Sequence, residues 1–209
     1  SHHDVTNEDL ELFVCDDPTC ASGTNQTLAS GGYGTSVAIG VDGNPVISHR
    51  VLGKDDLELY VCDDPACTTG TNRELVTADN HFYFSVVIGV DGNPVISHYD
   101  GTNDDLELYV CDDPACTTGT NRTLVTFGNV GLFPSVAIGV DGSPVIGHYD
   151  VTNFDLELYV CDDPACASGT NQTLETEGSV GLHMSVAIGV DGNPVISHLD
   201  GTNKDLELY

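Results

Sequence analysis

Cysteines are the residues of this chain with the most regular spacing of any chemically reactive type. Eight occur, and four residues separate the members of each pair: Cys15/Cys20, Cys62/Cys67, Cys111/Cys116 and Cys161/Cys166. Local pairing of an even number of cysteines predicts four disulfides and an oxidising compartment, so we expect an extracellular or cell-surface protein. Zinc is the alternative, but a four-cysteine site would need two pairs and usually has tighter Cys-x2-Cys spacing.

Acidic and amide side chains form a second recurring pattern, which is typical of calcium-binding loops. It occurs as Asp4, Asn7, Asp9; Asp100, Asn103, Asp105; Asp150, Asn153, Asp155; and Asp200, Asn203, Asp205. Oxygen ligands at such short offsets can surround Ca2+, with backbone carbonyls and water completing the shell. An ordinary turn is the alternative, because Asp and Asn also bond to their own backbone. One copy has Val51 and Lys54 instead, so we expect calcium to skip it.

A histidine recurs in the second predicted strand of every copy: His2, His49, His98, His148 and His198. A ring of imidazoles would form a metal or proton-transfer site only if that strand lined an axis. A packed ring with one bonded nitrogen is the alternative. His3, His81 and His183 do not repeat and carry less weight in this interpretation.

Three Asn-x-Thr sequences predict N-linked glycans, on Asn25, Asn121 and Asn171. The preference of Thr-Asn for turns is the alternative explanation.

The chain is strongly acidic, with 33 Asp and Glu against 5 Lys and Arg and a formal net charge of -28. Nucleic acids and anionic membranes need cationic partners, so we expect neither nucleic-acid binding nor membrane insertion.

The elements that carry these residues come from an internal repeat. Ser-Val-Ala/Val-Ile-Gly-Val-Asp-Gly begins at Ser36, Ser85, Ser135 and Ser185, which gives spacings of 49, 50 and 50 residues. The predicted division is a partial repeat at 1–35, full repeats at 36–84, 85–134 and 135–184, and a partial repeat at 185–209. Together these form one repeat domain.

Each repeat is predicted to contain four strands and no helix. In the third copy they cover residues 135–141, 144–150, 155–161 and 170–176. Val136, Ile138 and Val140 alternate with small residues, so we expect both faces of the first strand to be buried. Asp-Gly-Asn/Ser-Pro supplies a tight hairpin to the second strand. The third strand alternates leucine with acidic residues or Tyr109, which predicts one buried and one exposed face.

Four antiparallel strands repeated at about fifty residues are typical of a β-propeller blade. The sequence resembles the sialidase-like propeller repeat, in which a Ser-Val-Ala-Ile-x-x-Asp-Gly strand lies on the axis. Cys-Asp-Asp-Pro-x-Cys stands where that family has a Ser-x-Asp-x-Gly-x-Thr-Trp turn, and the chain has no Trp. The resemblance implies an all-β, propeller-like fold, either a closed ring or part of a longer array, and does not imply sialidase activity.

The functional prediction is a non-enzymatic extracellular structural protein, part of a fibre, filament or adhesive layer. The acidic residues recur in every copy, whereas a propeller active site draws different residues from different blades to one face. The third strand occurs five times and the first only four, which favours self-association. The first alternative is a glycan-binding lectin, with a site lined by His49, His98, Tyr99, His148, Tyr149 and His198. A sialidase-like hydrolase is the second alternative, disfavoured because only three arginines occur.

Overall fold

The computed structural model describes residues 1–51, 53–77 and 80–209. These residues form β-strands, turns and bends, without a helix, as the sequence pattern predicts. Accordingly, no described segment is a helix long and apolar enough to cross a membrane. The strands assemble into five antiparallel sheets in chain order.

The first sheet contains β1 (His2–Asp4), β2 (Asp9–Cys15) and β3 (Gly23–Ser30). The second contains β4 (Tyr33–Ile39), β5 (Pro45–Arg50), β6 (Leu57–Cys62) and β7 (Gly70–Val76). The third contains β8 (His81–Ile88), β9 (Pro94–Asp100), β10 (Asp105–Cys111) and β11 (Gly119–Val125). The fourth contains β12 (Val130–Ile138), β13 (Pro144–Asp150), β14 (Asp155–Cys161) and β15 (Gly169–Glu175). The fifth contains β16 (Leu182–Ile188), β17 (Pro194–Asp200) and β18 (Asp205–Leu208).

The innermost strands β4, β8, β12 and β16 contact one another in succession. A serine on each of the first three accepts a hydrogen bond from a backbone N–H of the next strand: Val86 N to Ser36 Oγ (3.1 Å), Val136 N to Ser85 Oγ (3.2 Å) and Val186 N to Ser135 Oγ (3.0 Å). These bonds explain why serine begins each copy of the inner-strand motif. The predicted repeat starts therefore lie inside these strands.

The inner strand differs from its prediction at both ends. In the fourth sheet it begins at Val130 rather than at Ser135, and it ends at Ile138. The prediction of burial was wrong for Val140, whose side chain is 81% exposed. Val140 already belongs to the hairpin, where Gly139 N donates to Ser143 O (2.8 Å) and closes the predicted turn.

Stacking of successive sheets creates the hydrophobic core. Leu106 and Leu108 of β10 pack against Ile146 and Tyr159 of the following sheet. Tyr109, on the other face of β10, packs against Leu59 of the preceding sheet. The predicted exposed face of the third strand is therefore wrong, because a neighbouring sheet covers each side of a full blade.

All four predicted disulfides are present, with Cα atoms 4.9–5.0 Å apart. Each bridge closes the loop between the last two strands of its sheet. The pairing within each loop is therefore confirmed for every cysteine: Cys15–Cys20, Cys62–Cys67, Cys111–Cys116 and Cys161–Cys166. The disulfides fit an extracellular protein.

Burial of three of these bridges is a feature that the sequence analysis did not predict. Cys67, Cys116 and Cys166 are 1–2% exposed, as are their partners, whereas Cys15 and Cys20 are exposed. The buried sulfurs belong to the core between sheets: Cys67 packs with leucines of the first sheet, and Cys166 packs with leucines of the third. No described sheet precedes the first one, so its bridge lacks this cover. The bridges thus contribute to packing as well as closing loops.

Removing the Cys111–Cys116 bridge by double alanine substitution is expected to lower the free energy of unfolding. Closing so short a loop contributes about 2 kcal/mol through the unfolded chain, and the buried sulfurs also lose packing contacts. The matched control is Cys15→Ala with Cys20→Ala, which removes an equally short loop with exposed sulfurs and should lose the loop contribution alone. Urea unfolding measures both. Midpoints unchanged from the parent chain in both variants would contradict the expectation.

Candidate axial site

A bulge interrupts every inner strand at the same place in the repeat. The pairing register shifts there in all four sheets that have an inner strand. The bulged residues are Gly34, Tyr83, Phe133 and His183, with φ angles of 60°, 53°, 51° and 49°. This left-handed conformation is unfavourable for tyrosine, phenylalanine and histidine, and β-bulges of this kind re-aim a side chain. The backbone conformation at this position is therefore the same in all four sheets, whereas the side chain differs from one sheet to the next.

The re-aimed side chains form a row across three sheets. The rings of Tyr83 and Phe133 lie 4.6 Å apart, edge to face, and those of Phe133 and His183 lie 4.1 Å apart. The row borders a cavity of about 260 Å³ that is also lined by Gly34, Thr35, Phe84, Pro134 and Met184. Residues from all four inner strands therefore meet at one end of the axis, around an open cavity.

A second cavity of about 150 Å³ shares part of this lining and contains a cationic side chain. Its walls are Tyr33, Gly34, Arg50, Phe82, Tyr83 and Phe84. The Arg50 guanidinium lies 4.1 Å from the centre of the Phe82 ring, and its Nε donates to Asp55 Oδ1 (2.8 Å). Arg50 occupies the position of Tyr99, Tyr149 and Leu199 in the other repeats. The second sheet thus has a cationic side chain beside the aromatic row, where the later sheets have Tyr or Leu.

These two cavities can hold a small polar ligand with an apolar face. Aromatic walls with a few polar groups are the usual lining of ligand pockets. Arg50, Tyr83, His183 and Thr35 supply the polar groups, and no carboxylate lines either cavity among the described residues. The sequence prediction missed this site because it discounted His183 as non-repeating. A comparison of the repeats for positions that differ would have found it.

A pair of carboxylates lies in a separate cleft of about 580 Å³, beside β15 and β18. His198 Nε2 is 3.5 Å from Glu175 Oε2 and 3.9 Å from Glu207 Oε2. One oxygen from each glutamate and one nitrogen of this histidine lie within 4.8 Å of one another. Glu175 replaces a valine of the preceding copies, Val76 and Val125. Glycosidases also use a pair of carboxylates.

The recurring histidines do not form a ring around the axis. In the third sheet, His98 Nε2 is 2.9 Å from Asn121 Oδ1, and Asn121 Nδ2 donates to Glu107 Oε2 (2.6 Å). The same contact joins His49 to Asn72 and His148 to Asn171. Burial lowers the pKa of these histidines, so they are neutral at pH 7. The rings are packed and bonded, which is the structural alternative.

The residues predicted to line a lectin site lie between sheets rather than on a surface. His49, His98, Tyr99, His148, Tyr149 and His198 are all buried. The hydroxyl of Tyr99 donates to Asp104, and burial followed by this contact raises the pKa of Tyr99. Tyr149 Oη is 2.9 Å from Ser179 Oγ. The structure therefore does not bring these side chains to a common binding surface.

The predicted glycan acceptors lie within outer strands, and their side chains are engaged. Asn25, Asn121 and Asn171 belong to β3, β11 and β15, and the amide nitrogen of each donates to a glutamate. An N-linked sugar is attached at this same nitrogen. Glycosylation stays a prediction, and it would have to displace that hydrogen bond.

The predicted calcium ligands form hydrogen bonds to one another and to the backbone within turns. Asp100 Oδ1 accepts a hydrogen bond from Thr102 N (2.8 Å), and Asp100 Oδ2 accepts one from Asn103 Nδ2 (2.7 Å). Asn103 therefore presents its amino group, not its oxygen, to the carboxylate. Burial, followed by the nearby carboxylate of Asp100, raises the pKa of Asp105. This arrangement fits a turn rather than a calcium cage, and calcium binding stays a prediction.

Comparisons with known proteins support the fold. No family model and no curated protein matches the sequence. Solved structures do match at 11–14% identity. A Dyadobacter fermentans protein of unknown function has a TM-score of 0.64, over 89% of this chain and 53% of that one. A Clostridium thermocellum α-L-arabinofuranosidase has 0.55, over 86% and 68%. The Streptococcus pneumoniae NanB sialidase has 0.63, over 91% and 33%.

The chain thus spans between a third and about two thirds of the length of these structures. The predicted all-β, propeller-like fold is confirmed. The functional prediction of a non-enzymatic structural protein was wrong, because several of the solved structures with a similar fold are glycoside hydrolases. The lectin alternative gains nothing from this comparison. Identity this low shows the fold alone, so the residues that act must be argued from the site.

Proposed function

We propose that this chain is an extracellular glycoside hydrolase that holds a sugar in the two axial cavities. The observation that carries the proposal is the break in the repeat at Gly34, Tyr83, Phe133 and His183. Strained positions that differ between otherwise similar repeats, gathered at one end of the axis, are where a propeller concentrates a functional site. The resemblance of the fold to glycoside hydrolases supports the choice of reaction class.

The site residues suit a carbohydrate. Tyr83 and Phe133 offer aromatic faces for the apolar face of a sugar ring, and the hydroxyls of Tyr83 and Thr35 can bond to sugar hydroxyls. Arg50 can bind a carboxylate on an acidic sugar, since a guanidinium matches that group with two parallel hydrogen bonds. His183 lines the cavity and is a residue type that transfers protons near neutral pH.

The carboxylate pair in the other cleft is a second candidate for the catalytic groups. Glycoside hydrolysis ordinarily uses one carboxylic acid to protonate the leaving oxygen and one carboxylate as nucleophile or base. Glu175 and Glu207 have the proximity for this, and His198 Nε2 lies within 4 Å of a carboxylate oxygen of each. The axial site is preferred because four strands converge on it.

The test is a hydrolysis screen with aryl glycosides and plant and bacterial polysaccharides, neutral and acidic. Tyr83→Ala and Phe133→Ala are expected to raise KM about tenfold or more, because each removes a large apolar contact with the sugar. Phe127→Ala is the matched control, since this ring is 88% exposed and lines neither cavity. His183→Ala is expected to lower kcat by roughly 100-fold.

The variants Glu175→Gln and Glu207→Gln decide between the two sites. Loss of turnover in these two variants alone, with the aromatic variants unaffected, would transfer the active site to the carboxylate cleft. Absence of hydrolysis on every substrate, with the chain folded, would overturn the proposed reaction. Self-association, calcium and N-linked glycans are separate proposals that this screen does not test.

A further inference from the structure

Two histidines and a glutamate meet inside the third sheet, away from both cavities. His81, His98 and Glu107 belong to the neighbouring strands β8, β9 and β10. One ring nitrogen of each histidine and one carboxylate oxygen all lie within 4.8 Å of one another. The three residues are 1%, 0% and 7% exposed. Three potential ligands on three adjacent strands thus share one buried position.

His81 is peculiar to this repeat. It pairs with Asp100 as Val130 pairs with Asp150, so the structurally equivalent residue in the fourth sheet is Val130. Gly131 follows Val130, but the third sheet has no residue in that place, since Phe82 directly takes the pairing position of Leu132. The third sheet therefore has His81 in place of Val130 and lacks an equivalent of Gly131. The His-Asn-Glu contact recurs in other sheets, whereas the second histidine does not.

His98 has a ring nitrogen available for a ligand. Asn121 Nδ2 donates to Glu107, which orients the amide and turns its oxygen toward His98 Nε2 (2.9 Å). His98 Nδ1 is buried and makes no hydrogen bond. A histidine that is oriented by a carbonyl group through one ring nitrogen and binds the ion with the other is the usual arrangement in metal sites.

We propose that His81, His98 and Glu107 bind one divalent transition-metal ion. Two imidazole nitrogens and one carboxylate oxygen are a ligand set that Zn2+ accepts, whereas Ca2+ and Mg2+ select oxygen ligands. The Glu107 carboxylate balances part of the ionic charge, and Thr123 Oγ1 donates to its other oxygen (3.0 Å). The ion would link β8 to β9 and β10, and its role is independent of the proposed hydrolysis.

The test is metal binding by the full chain after treatment with a chelator. Zinc added at micromolar concentration is expected to bind and to raise the melting temperature, because an ion that binds only the folded state stabilises it. Co2+ in place of zinc is expected to give the visible absorption of a four- or five-coordinate site. Native mass spectrometry gives the number of ions for each variant.

His81→Val is the decisive variant, because valine already occupies this position in the fourth sheet and should fold there. It is expected to bind one ion fewer than the parent chain and to lose the cobalt absorption and the melting shift. Glu107→Gln should lose the same ion, whereas His148→Gln, in the sheet without a second histidine, should retain it. Absence of zinc binding by the parent chain, or equal binding by His81→Val, would overturn the site.

Discussion

Replacing Leu106 with alanine is expected to lower the free energy of unfolding by about 2–5 kcal/mol. Its side chain is 0% exposed and packs against the following sheet. Truncation removes apolar contacts and leaves a cavity, which Gly131 cannot fill because it has no side chain and its backbone already lies against Leu106. Urea unfolding followed by circular dichroism measures the loss.

The matched control for this prediction is Leu206→Ala. Leu206 is the same residue of the repeat, but its side chain is 82% exposed. Its truncation is expected to change the free energy of unfolding by less than about 0.5 kcal/mol, as for other surface sites. Similar losses in the two variants would contradict the stacking of sheets as the source of stability, because the intrinsic contribution of leucine to the strand is the same at both positions.

Acidification from pH 7 to pH 4 is expected to destabilise the folded chain strongly. Burial lowers the pKa of His49 and His148 below 6.5, so the folded state binds their protons only at lower pH than the unfolded state does. Stability is therefore lost as the pH falls from about 6.5 toward the folded pKa values. The loss is about 1.4 kcal/mol per pH unit for each histidine in that window. Urea unfolding of the metal-free chain at several pH values measures it.

Variants distinguish the contribution of the histidines to the pH dependence of stability from that of the carboxylates. Hydrogen bonds from Thr68 and Thr117 lower the pKa of Asp64 and Asp113, so these aspartates lose their contribution mainly below pH 4. His148→Gln is expected to reduce the pH slope below pH 6.5, by at most about one proton. A slope unaffected by His148→Gln would contradict the assignment.

The strands and disulfides could be predicted because each rests on local chemistry that occurs four times. Asp141-Gly142 supplies a hairpin wherever it is placed, and cysteines separated by four residues along a turn can meet without help from the rest of the fold. The burial of Glu107, Tyr109 and Cys166 could not be predicted in this way. It depends on a second sheet covering the outer face, and the alternation within one strand contains no information about that neighbour.

The axial site could not be predicted because it contradicts local preference. Tyr83, Phe133 and His183 adopt a left-handed conformation that their side chains disfavour, so propensity gives no signal there. The repeat pattern also favoured other residues as candidates. The recurring Asp, Asn and His were predicted as possible ligands, but in the structure they complete turns and contacts within sheets. The functional prediction failed for the same reason, because it rested on residues that recur in every repeat and not on the residues that differ between repeats.

The serine hydrogen bond between successive inner strands has an evolutionary consequence. Each new copy of the repeat brings both halves of the contact with it, the hydroxyl that accepts and the backbone N–H that donates. Duplication of the gene segment for one repeat would therefore yield a chain whose added sheet already fits its neighbours. At the bulge beside that serine, the sheets share a backbone conformation but not a side chain. Duplicated copies can therefore diverge at this residue without a change in the scaffold.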